Sequence, residues 1–278
     1  MDDFNIDKFI DSLPDNVEII DVSYKDADYL PDLSRFKNLE KLYCRENNLN
    51  SLPVLPENLK KLYCEYNNLT SLPVLPKKLE MLCCVSNKLT LLPVLPETLK
   101  TLDCGSNKLT SLPVLPKNLK QIYCPNNELM SLPVLPENLE TLLCSNNNLT
   151  SLPVLSKNLE SIYCSRNKLT SLPNLPEKLI VIHCHNNQLT SLPVLPEKLK
   201  QLLFYENPIN NIIPYNDKLN MIKKEIKILN NFRYLYYCLK YRKRFLKMME
   251  PIIKKRYHPS YLDDLEEDDD LDEKLNGW

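Results

Sequence analysis

The segment formed by residues 39–55 returns every 20 residues along this chain, almost unchanged, as far as residue 209. Its apolar positions are Leu39, Leu42, Cys44 and Leu49, and nine in-phase copies keep the pattern L-x-x-L-x-C-x-x-N-x-L with few exchanges. A fixed period of this kind indicates a repeat architecture, because one unit cannot bury its apolar residues alone and neighbouring units must stack. The sequence therefore predicts a repeat solenoid.

The spacing within each repeat predicts its local structure. Leu42 and Cys44 lie on the same side of an extended chain, so they face the core while Tyr43 points to the open, concave face. Identical strands would stack as a parallel sheet with a spacing of about 4.8 Å. Pro53 and Pro56 exclude a helix from the rest of the repeat, which favours an extended, polyproline-like convex segment.

Two further columns of residues recur with the period. Asn47 follows the strand, where its amide can donate and accept hydrogen bonds in a buried turn, so we predict an asparagine column that bonds from one turn to the next. A second column alternates in sign, and stacking should place its opposite charges side by side, with each exposed pair contributing roughly 0–1 kcal/mol. Its members are Glu57, Lys77, Glu97, Lys117, Glu137, Lys157 and Glu177.

The two ends of the chain depart from the repeat. Phe4, Phe9 and Ile10 predict a short capping helix, and the apolar frame of the first repeat is degenerate. After Pro214 the apolar spacing becomes helical, with one pattern from Leu219 and a second from Phe232, which predicts two capping helices. The predicted domains are a helical cap at 1–16, a solenoid at 17–209 with a degenerate first repeat at 17–38 and nine repeats from 39, a basic helical cap at 210–258, and an acidic disordered tail at 259–278.

Composition limits the compartment and the chemistry. Eight of the ten cysteines occupy the inward column, and the chain contains neither a signal-peptide pattern nor an apolar stretch long enough to span a membrane. We therefore expect a reduced, buried cysteine ladder in an intracellular, cytoplasmic protein. The alternative interpretation is redox sensing or metal binding by adjacent thiols. The net charge of −1 gives no overall bias towards nucleic acid or membranes.

The strand positions predicted to face outward are where the repeats differ. Exposed tyrosine is a favourable interface residue, whereas the alternative is that solvent positions drift and that tyrosine is simply common in strands. His183 and His185 flank Cys184, but two histidines without a third ligand make a poor zinc site. The predicted partner-binding residues are Tyr43, Tyr63, Tyr66, Asp103, Tyr123, Tyr163, Arg166, His183, His185 and Tyr205.

Charge separates sharply near the C-terminus. Residues 217–256 contain 13 Lys or Arg against 3 acids, and nine acids follow between 263 and 273. The basic side chains could bind nucleic acid or act as a nuclear import signal, or they could form the solvated face of a capping helix, or they could hold the acidic tail. The predicted basic patch comprises Arg242, Lys243, Arg244, Lys247, Lys254, Lys255 and Arg256.

No combination of residues in the chain indicates catalysis. A phosphate-binding glycine loop is absent from a chain with two glycines, and neither a Ser/His/Asp set nor an HExxH motif is present. We therefore predict no enzyme activity, no catalytic residue, no cofactor and no metal.

The repeat pattern resembles the leucine-rich repeat. Its period and its Leu-Pro-x-Leu-Pro tail are similar to the short subclass found in bacterial secreted effectors, and the cysteine column and the Asn, Ile, Lys and Tyr richness resemble mimivirus-type proteins of giant viruses. The resemblance implies an α/β-class solenoid that is mostly β, a curved horseshoe with a parallel concave sheet, extended convex segments and helical caps at both ends.

The resemblance also implies a function. A leucine-rich repeat solenoid of this kind would be a monomeric, non-catalytic module that binds a protein partner, a host protein if the chain is viral, through its concave face. One alternative is a nucleic-acid-associated protein that uses the basic C-terminal helices. Another, by analogy to the family alone, is the adaptor subunit of a ubiquitin ligase.

Overall fold

The computed structural model describes residues 4–214 and 218–240, with the side chains of 236–240 left aside. Within these residues lie a short N-terminal helix, ten three-residue strands, a 3₁₀ turn and a longer helix. The chain forms two compact units, with the boundary after Ile226. The described residues of the second unit, 227–240, belong to the last helix. The elements are α1 (Ile6–Asp11), β1 (Ile19–Asp21), β2 (Lys41–Tyr43), β3 (Lys61–Tyr63), β4 (Met81–Cys83), β5 (Thr101–Asp103), β6 (Gln121–Tyr123), β7 (Thr141–Leu143), β8 (Ser161–Tyr163), β9 (Val181–His183), β10 (Gln201–Leu203), the 3₁₀ turn (Pro208–Asn211) and α2 (Leu219–Lys240).

The ten strands form one parallel sheet in sequence order, which confirms the predicted solenoid. From β2 onward each residue is paired with the residue 20 positions later, as Leu42 is with Leu62. The degenerate first repeat is two residues longer, so Ile20 of β1 is paired with Leu42. Stacking of identical units therefore sets the register of the whole sheet.

The core is a set of parallel apolar columns. Leu39, Leu42, Cys44 and Leu49 are fully buried, and so are most of their equivalents in the later repeats. The segments that return from one strand to the next contain neither helix nor strand, because their prolines remove backbone donors and fix φ. Each turns back through a bond such as that from Leu59 N to Pro56 O, at 3.1 Å.

The buried asparagines form a ladder through the turns that follow the strands, as predicted. The Nδ2 of Asn127 donates to the carbonyl oxygens of Cys104 at 3.0 Å, Cys124 at 3.3 Å and Pro125 at 3.2 Å. Its Oδ1 accepts from the backbone N of Leu109 at 3.0 Å. One side chain thus satisfies backbone groups of its own repeat and of the preceding one, and the other asparagines of the column repeat this arrangement.

The alternating charge column does not pair as predicted. No ion pair joins Glu57, Lys77 or their equivalents in the described part of the chain, and these side chains are exposed. The ion pairs between neighbouring repeats lie instead beside the strands, as between Lys60 and Glu40 at 2.5 Å. The residues just before the strands are held side by side by the pairing of neighbouring strands. The exposed side chains of the return turns are not held next to each other in this way.

The two ends of the solenoid carry helical segments. In α1 the side chain of Asn5 accepts a bond from Lys8 N, and Ile6 and Ile10 are buried. In α2 the side chains of Ile222 and Ile226 are buried, and Lys223 Nζ donates to the carbonyl oxygen of Glu197 at 2.8 Å.

The prediction of two separate C-terminal helices is wrong, because no break separates the two apolar patterns within the described residues. A single helix runs from Leu219 to Lys240, because no glycine or proline interrupts this stretch. Phe232 and Leu235, which we expected to cover the core, are exposed. The predicted helix cap Asn216 and the second pattern after Lys240 lie outside the described residues, as does the acidic tail at 259–278. Within the described residues, no helix has both the length and the apolar character that crossing a membrane would require.

We predict that Asn127→Ala destabilises the protein by about 3–5 kcal/mol, because it leaves several buried backbone groups without partners, each costing about 1–3 kcal/mol. Denaturant-induced unfolding would measure the change. Asn138→Ala is the matched control, since Asn138 is exposed and makes one bond, to Lys117 O at 3.2 Å. Equal effects of the two substitutions would contradict the role assigned to the ladder.

Burial makes the protein sensitive to alkaline pH. It raises the pKa of Cys124 and Cys164 to about 12, and it raises the pKa of Cys64, Cys84 and Cys104 well above the usual range. An unfolded thiol loses its proton above about pH 8.5, whereas the folded thiols keep theirs, so the unfolded state binds fewer protons. The stability that each thiol contributes is therefore complete below that pH and is lost as pH rises.

We expect the free energy of unfolding to fall by about 1.4 kcal/mol per pH unit for each buried thiol once the unfolded thiols are ionised. Unfolding curves at pH values between about 8 and 10 would measure the slope, which Cys124→Ala should reduce by the share of one thiol. A free energy of unfolding that is independent of pH in this window would show that the cysteine column is not shielded as described.

Candidate functional site

The sheet face is the outward side of the strands and of the residue two positions beyond each strand. Its side chains are mostly half-buried, because each is flanked by its equivalents in the neighbouring repeats. We define it by Tyr43, Tyr63, Cys83, Asp103, Tyr123, Leu143, Tyr163, His183 and Leu203, with Arg45, Glu65, Val85, Gly105, Pro125, Ser145, Ser165, His185 and Tyr205 beside them. It is the surface on which the repeats differ most.

At its N-terminal end the sheet face carries a stacked tyrosine pair. The rings of Tyr43 and Tyr63 lie 4.7 Å apart and are nearly parallel, with 8° between their planes. The guanidinium of Arg45 lies 5.9 Å from the Tyr43 ring centre, and its Nη1 is 3.7 Å from Oε1 of Glu65. The parallel register of β2 and β3 holds these side chains in place before any partner arrives.

The middle of the sheet face is less aromatic and more acidic. Cys83 and Asp103 occupy the tyrosine positions of β4 and β5, and Glu65 is buried beside them. Burial, reinforced by the charge of Glu65, raises the pKa of Asp103, although Gly105 N donates a bond to its Oδ1 at 3.4 Å. Burial and the same two carboxylates raise the pKa of Cys83 to about 12.

The C-terminal end of the sheet face is an aromatic cluster. The rings of Tyr163 and His183 make a T-shaped contact with centres 4.6 Å apart, and His185 stacks on Tyr205 at 4.5 Å. Burial lowers the pKa of both histidines; the neighbouring His185 lowers that of His183 further, and Arg166 lowers that of His185. These surroundings favour the neutral form of both rings. No group of three metal-ligating side chains occurs among the described residues, so the structure gives this pair no third ligand.

The predicted partner-binding residues fall into two places. Eight lie on the sheet face, but Tyr66 and Arg166 occupy the turn after the strand, with φ of 55° and 53°. Tyr66 is 55% exposed there, whereas Arg166 lies close enough to His185 to affect its pKa. The in-and-out alternation of side chains ends at the residue before each of these positions. The side chains of Tyr66 and Arg166 therefore do not point along the sheet face.

The predicted partner-binding residues leave out four that shape the N-terminal end and the middle of the sheet face. Arg45, Glu65, Cys83 and Gly105 stand at outward positions, but residue type alone gave no reason to select them. Glu65 is 8% exposed, and its burial follows from packing between Arg45 and Val85 in the same row, which only the register shows. The signal available in the sequence was the break in the tyrosine column at 83 and 103.

The predicted basic patch lies outside the described residues. Arg242, Lys243, Arg244, Lys247, Lys254, Lys255 and Arg256 all follow Lys240, the last residue of α2 as described. Binding of nucleic acid by this segment stays a prediction.

Comparisons with known proteins agree with the repeat architecture. The family profile for leucine-rich repeats (2 copies) matches residues 137–177. The leucine-rich effector protein YopM from Yersinia pestis is 36% identical, with a TM-score of 0.68 over 70% of this chain and 56% of that one. YopM from Yersinia enterocolitica is 34% identical, with a TM-score of 0.61 over 71% of this chain and 48% of that one.

A third solved structure shares the architecture at lower identity. The leucine-rich repeat protein LIC12759 from Leptospira interrogans is 27% identical, with a TM-score of 0.55 over 67% of this chain and 54% of that one. The chain thus spans about half the length of these three relatives. A search of curated protein sequences found no match.

The resemblance to mimivirus-type proteins stays a prediction. The family itself is shown by the parallel ten-stranded solenoid, the matching profile and the similarity to YopM. The chain belongs to the leucine-rich repeat family.

Proposed function

We propose that this chain is a non-catalytic module that binds a protein partner through its sheet face. The observation that carries the proposal is the row of half-buried aromatic side chains on an otherwise constant frame. Tyr43, Tyr63, Tyr123 and Tyr163 occupy one column of the sheet face, which His183 continues. Aromatic residues are enriched at interfaces and among the residues that dominate binding free energy.

The geometry of the row favours binding in a second way. Tyr43 and Tyr63 are stacked on each other, and His185 is stacked on Tyr205, so these rings already have fixed orientations. Binding of a partner to these rings therefore costs less side-chain entropy than binding to rings that are mobile beforehand. Short strands in fixed register act as the rigid support for such a surface.

The comparisons support the general class of this function. The Yersinia pestis relative is an effector protein, and a leucine-rich repeat solenoid is generally a binding scaffold. Within the proposal, the chain acts as a monomeric cytoplasmic adaptor, and its partner is a host protein if the chain is viral. These assignments depend on the sheet face engaging another protein.

Affinity capture from a host-cell lysate tests the proposal, with wild type compared to a variant in which Tyr43, Tyr63, Tyr123 and Tyr163 are all changed to Ala. We expect a specific protein to be retained by the wild type and lost from the variant. Its affinity, measured on the purified pair, should fall more than tenfold, because interface aromatic anchors often cost over 1 kcal/mol each when truncated.

A matched control changes four exposed side chains on the return segments. Val74, Val94, Val114 and Val134 are 86–88% exposed, and their replacement by Ala should leave capture unchanged. Circular dichroism checks that both variants fold. Retention of the same proteins by the tyrosine variant contradicts the proposal. Nuclease treatment and a salt series exclude contacts through nucleic acid, since phosphate-driven binding weakens steeply with salt.

A further inference from the structure

The tyrosine column of the sheet face is interrupted in its middle. Cys83 and Asp103 stand between Tyr63 and Tyr123 in direct register. Three strand spacings put the two tyrosine backbones about 14 Å apart, and the shorter side chains leave a depression between the rings. We call this depression, formed by Cys83, Asp103 and Gly105 with Glu65 at its edge, the notch.

Gly105 forms one wall of the notch, packed against Pro125. It follows Asp103 by two residues, so a side chain there would point to the same face of the sheet. A Cβ at this position would lie 3.1 Å from Cδ of Pro125, which is closer than most Cβ contacts. Pro125 therefore occupies the direction in which a side chain of residue 105 would point, and it disfavours any larger residue there.

The carboxylates of the notch have few partners among the residues that the structure describes. Glu65 is 8% exposed, its side chain is hydrogen-bonded to that of Cys83, and its buried Oε2 has no partner. Its Oε1 meets Arg45 Nη1 only at 3.7 Å. In the part of the chain that the structure describes, no Lys, Arg or His nitrogen lies within 4.0 Å of the Asp103 carboxylate, which accepts one long bond from Gly105 N. Burying a carboxylate without a donor is costly, so the site favours a ligand that brings one.

The surroundings of the notch select the sign of that ligand. Glu65 and Asp103 carry two negative charges against the single positive charge of Arg45, so an anion would be repelled. Tyr63 and Tyr123 offer aromatic rings on either side, which attract cations. Glu65, Cys83 and Asp103 do not converge as a group that could hold a metal ion, as none occurs among the described residues.

We propose that the notch receives one lysine or arginine side chain of the protein partner, with Asp103 and Glu65 as its acceptors. The inference rests on the proposed function and names the chemistry that the partner presents at the centre of the sheet face. The cationic group would donate to both carboxylates while its aliphatic stem packs between the rings of Tyr63 and Tyr123.

The composition of the chain provides a local probe. It contains two glycines, Gly105 in the notch and Gly277 near the C-terminus. Selective ¹⁵N-glycine labelling therefore gives one amide signal that reports on Asp103, through the bond from Gly105 N, and one internal reference. The titrants are capped glycine pentapeptides with a central lysine, arginine, acetyl-lysine or glutamate.

The lysine and arginine peptides should shift the Gly105 signal saturably in the millimolar range and leave Gly277 in place. The acetyl-lysine and glutamate peptides should leave both signals unchanged. Asp103→Asn and Glu65→Gln should each weaken binding about tenfold or more, as loss of a charge-assisted hydrogen bond does. Glu97→Gln is the matched control, an exposed acid on a return segment whose removal should not change the titration.

Equal shifts from the lysine and acetyl-lysine peptides, or no shift from either cationic peptide, would overturn the proposal. A protein captured through the four tyrosines provides a separate test. If its affinity falls in the tyrosine variant but is the same for Asp103→Asn and wild type, the proposed function stands and the assignment of the notch fails. If both variants lose affinity, both proposals hold.

Discussion

The structure depends on the ability of one amide side chain to satisfy backbone groups in two repeats at once. The turn after each strand buries carbonyl and N–H groups that have no place in the sheet. An asparagine such as Asn127 bonds to carbonyl oxygens of Cys104 and Cys124 and to the N–H of Leu109. A short apolar residue could fill the space but would leave these groups unpaired, and a carboxylate would supply no donor. Together with the backbone bonds between strands, these asparagine bonds fix the distance and phase between neighbouring turns.

Sequence periodicity was sufficient to predict most of this fold. The alternation of Leu42, Tyr43 and Cys44 identified strand, core and open face, and the recurrence of Asn47 predicted the ladder. The same reasoning failed where no period applies. Glu57 and Lys77 alternate in sign, but their side chains extend into solvent, so stacking does not bring them together. The continuity of α2 depends on the absence of glycine and proline between its two apolar patterns. This absence is a weaker sequence signal than either pattern, so the single helix was not predicted.

The candidate site was less predictable than the fold. Tyr43 and Tyr163 could be assigned to the open face from alternation alone. The position of Tyr66 could not be assigned in this way, because the chain leaves the extended conformation at this residue, where φ is 55°. The burial of Glu65 and the depression between Tyr63 and Tyr123 depend on which side chains stand next to each other across strands. These neighbours are known only once the 20-residue offset between paired strands is established, and side-chain size then decides how they pack, as for Gly105 and Pro125.

The register has a consequence for how such a chain can change. Because each strand residue from β2 to β9 faces the one 20 positions later, recombination between two repeats rejoins surfaces that are already complementary. Gain or loss of one whole repeat preserves every column of the core, and the longer first repeat shows that two extra residues outside the strand leave the strand pairing intact. The recognition surface can therefore gain or lose a row in a single genetic event. Its reach and its order of side chains can evolve without any redesign of the interior.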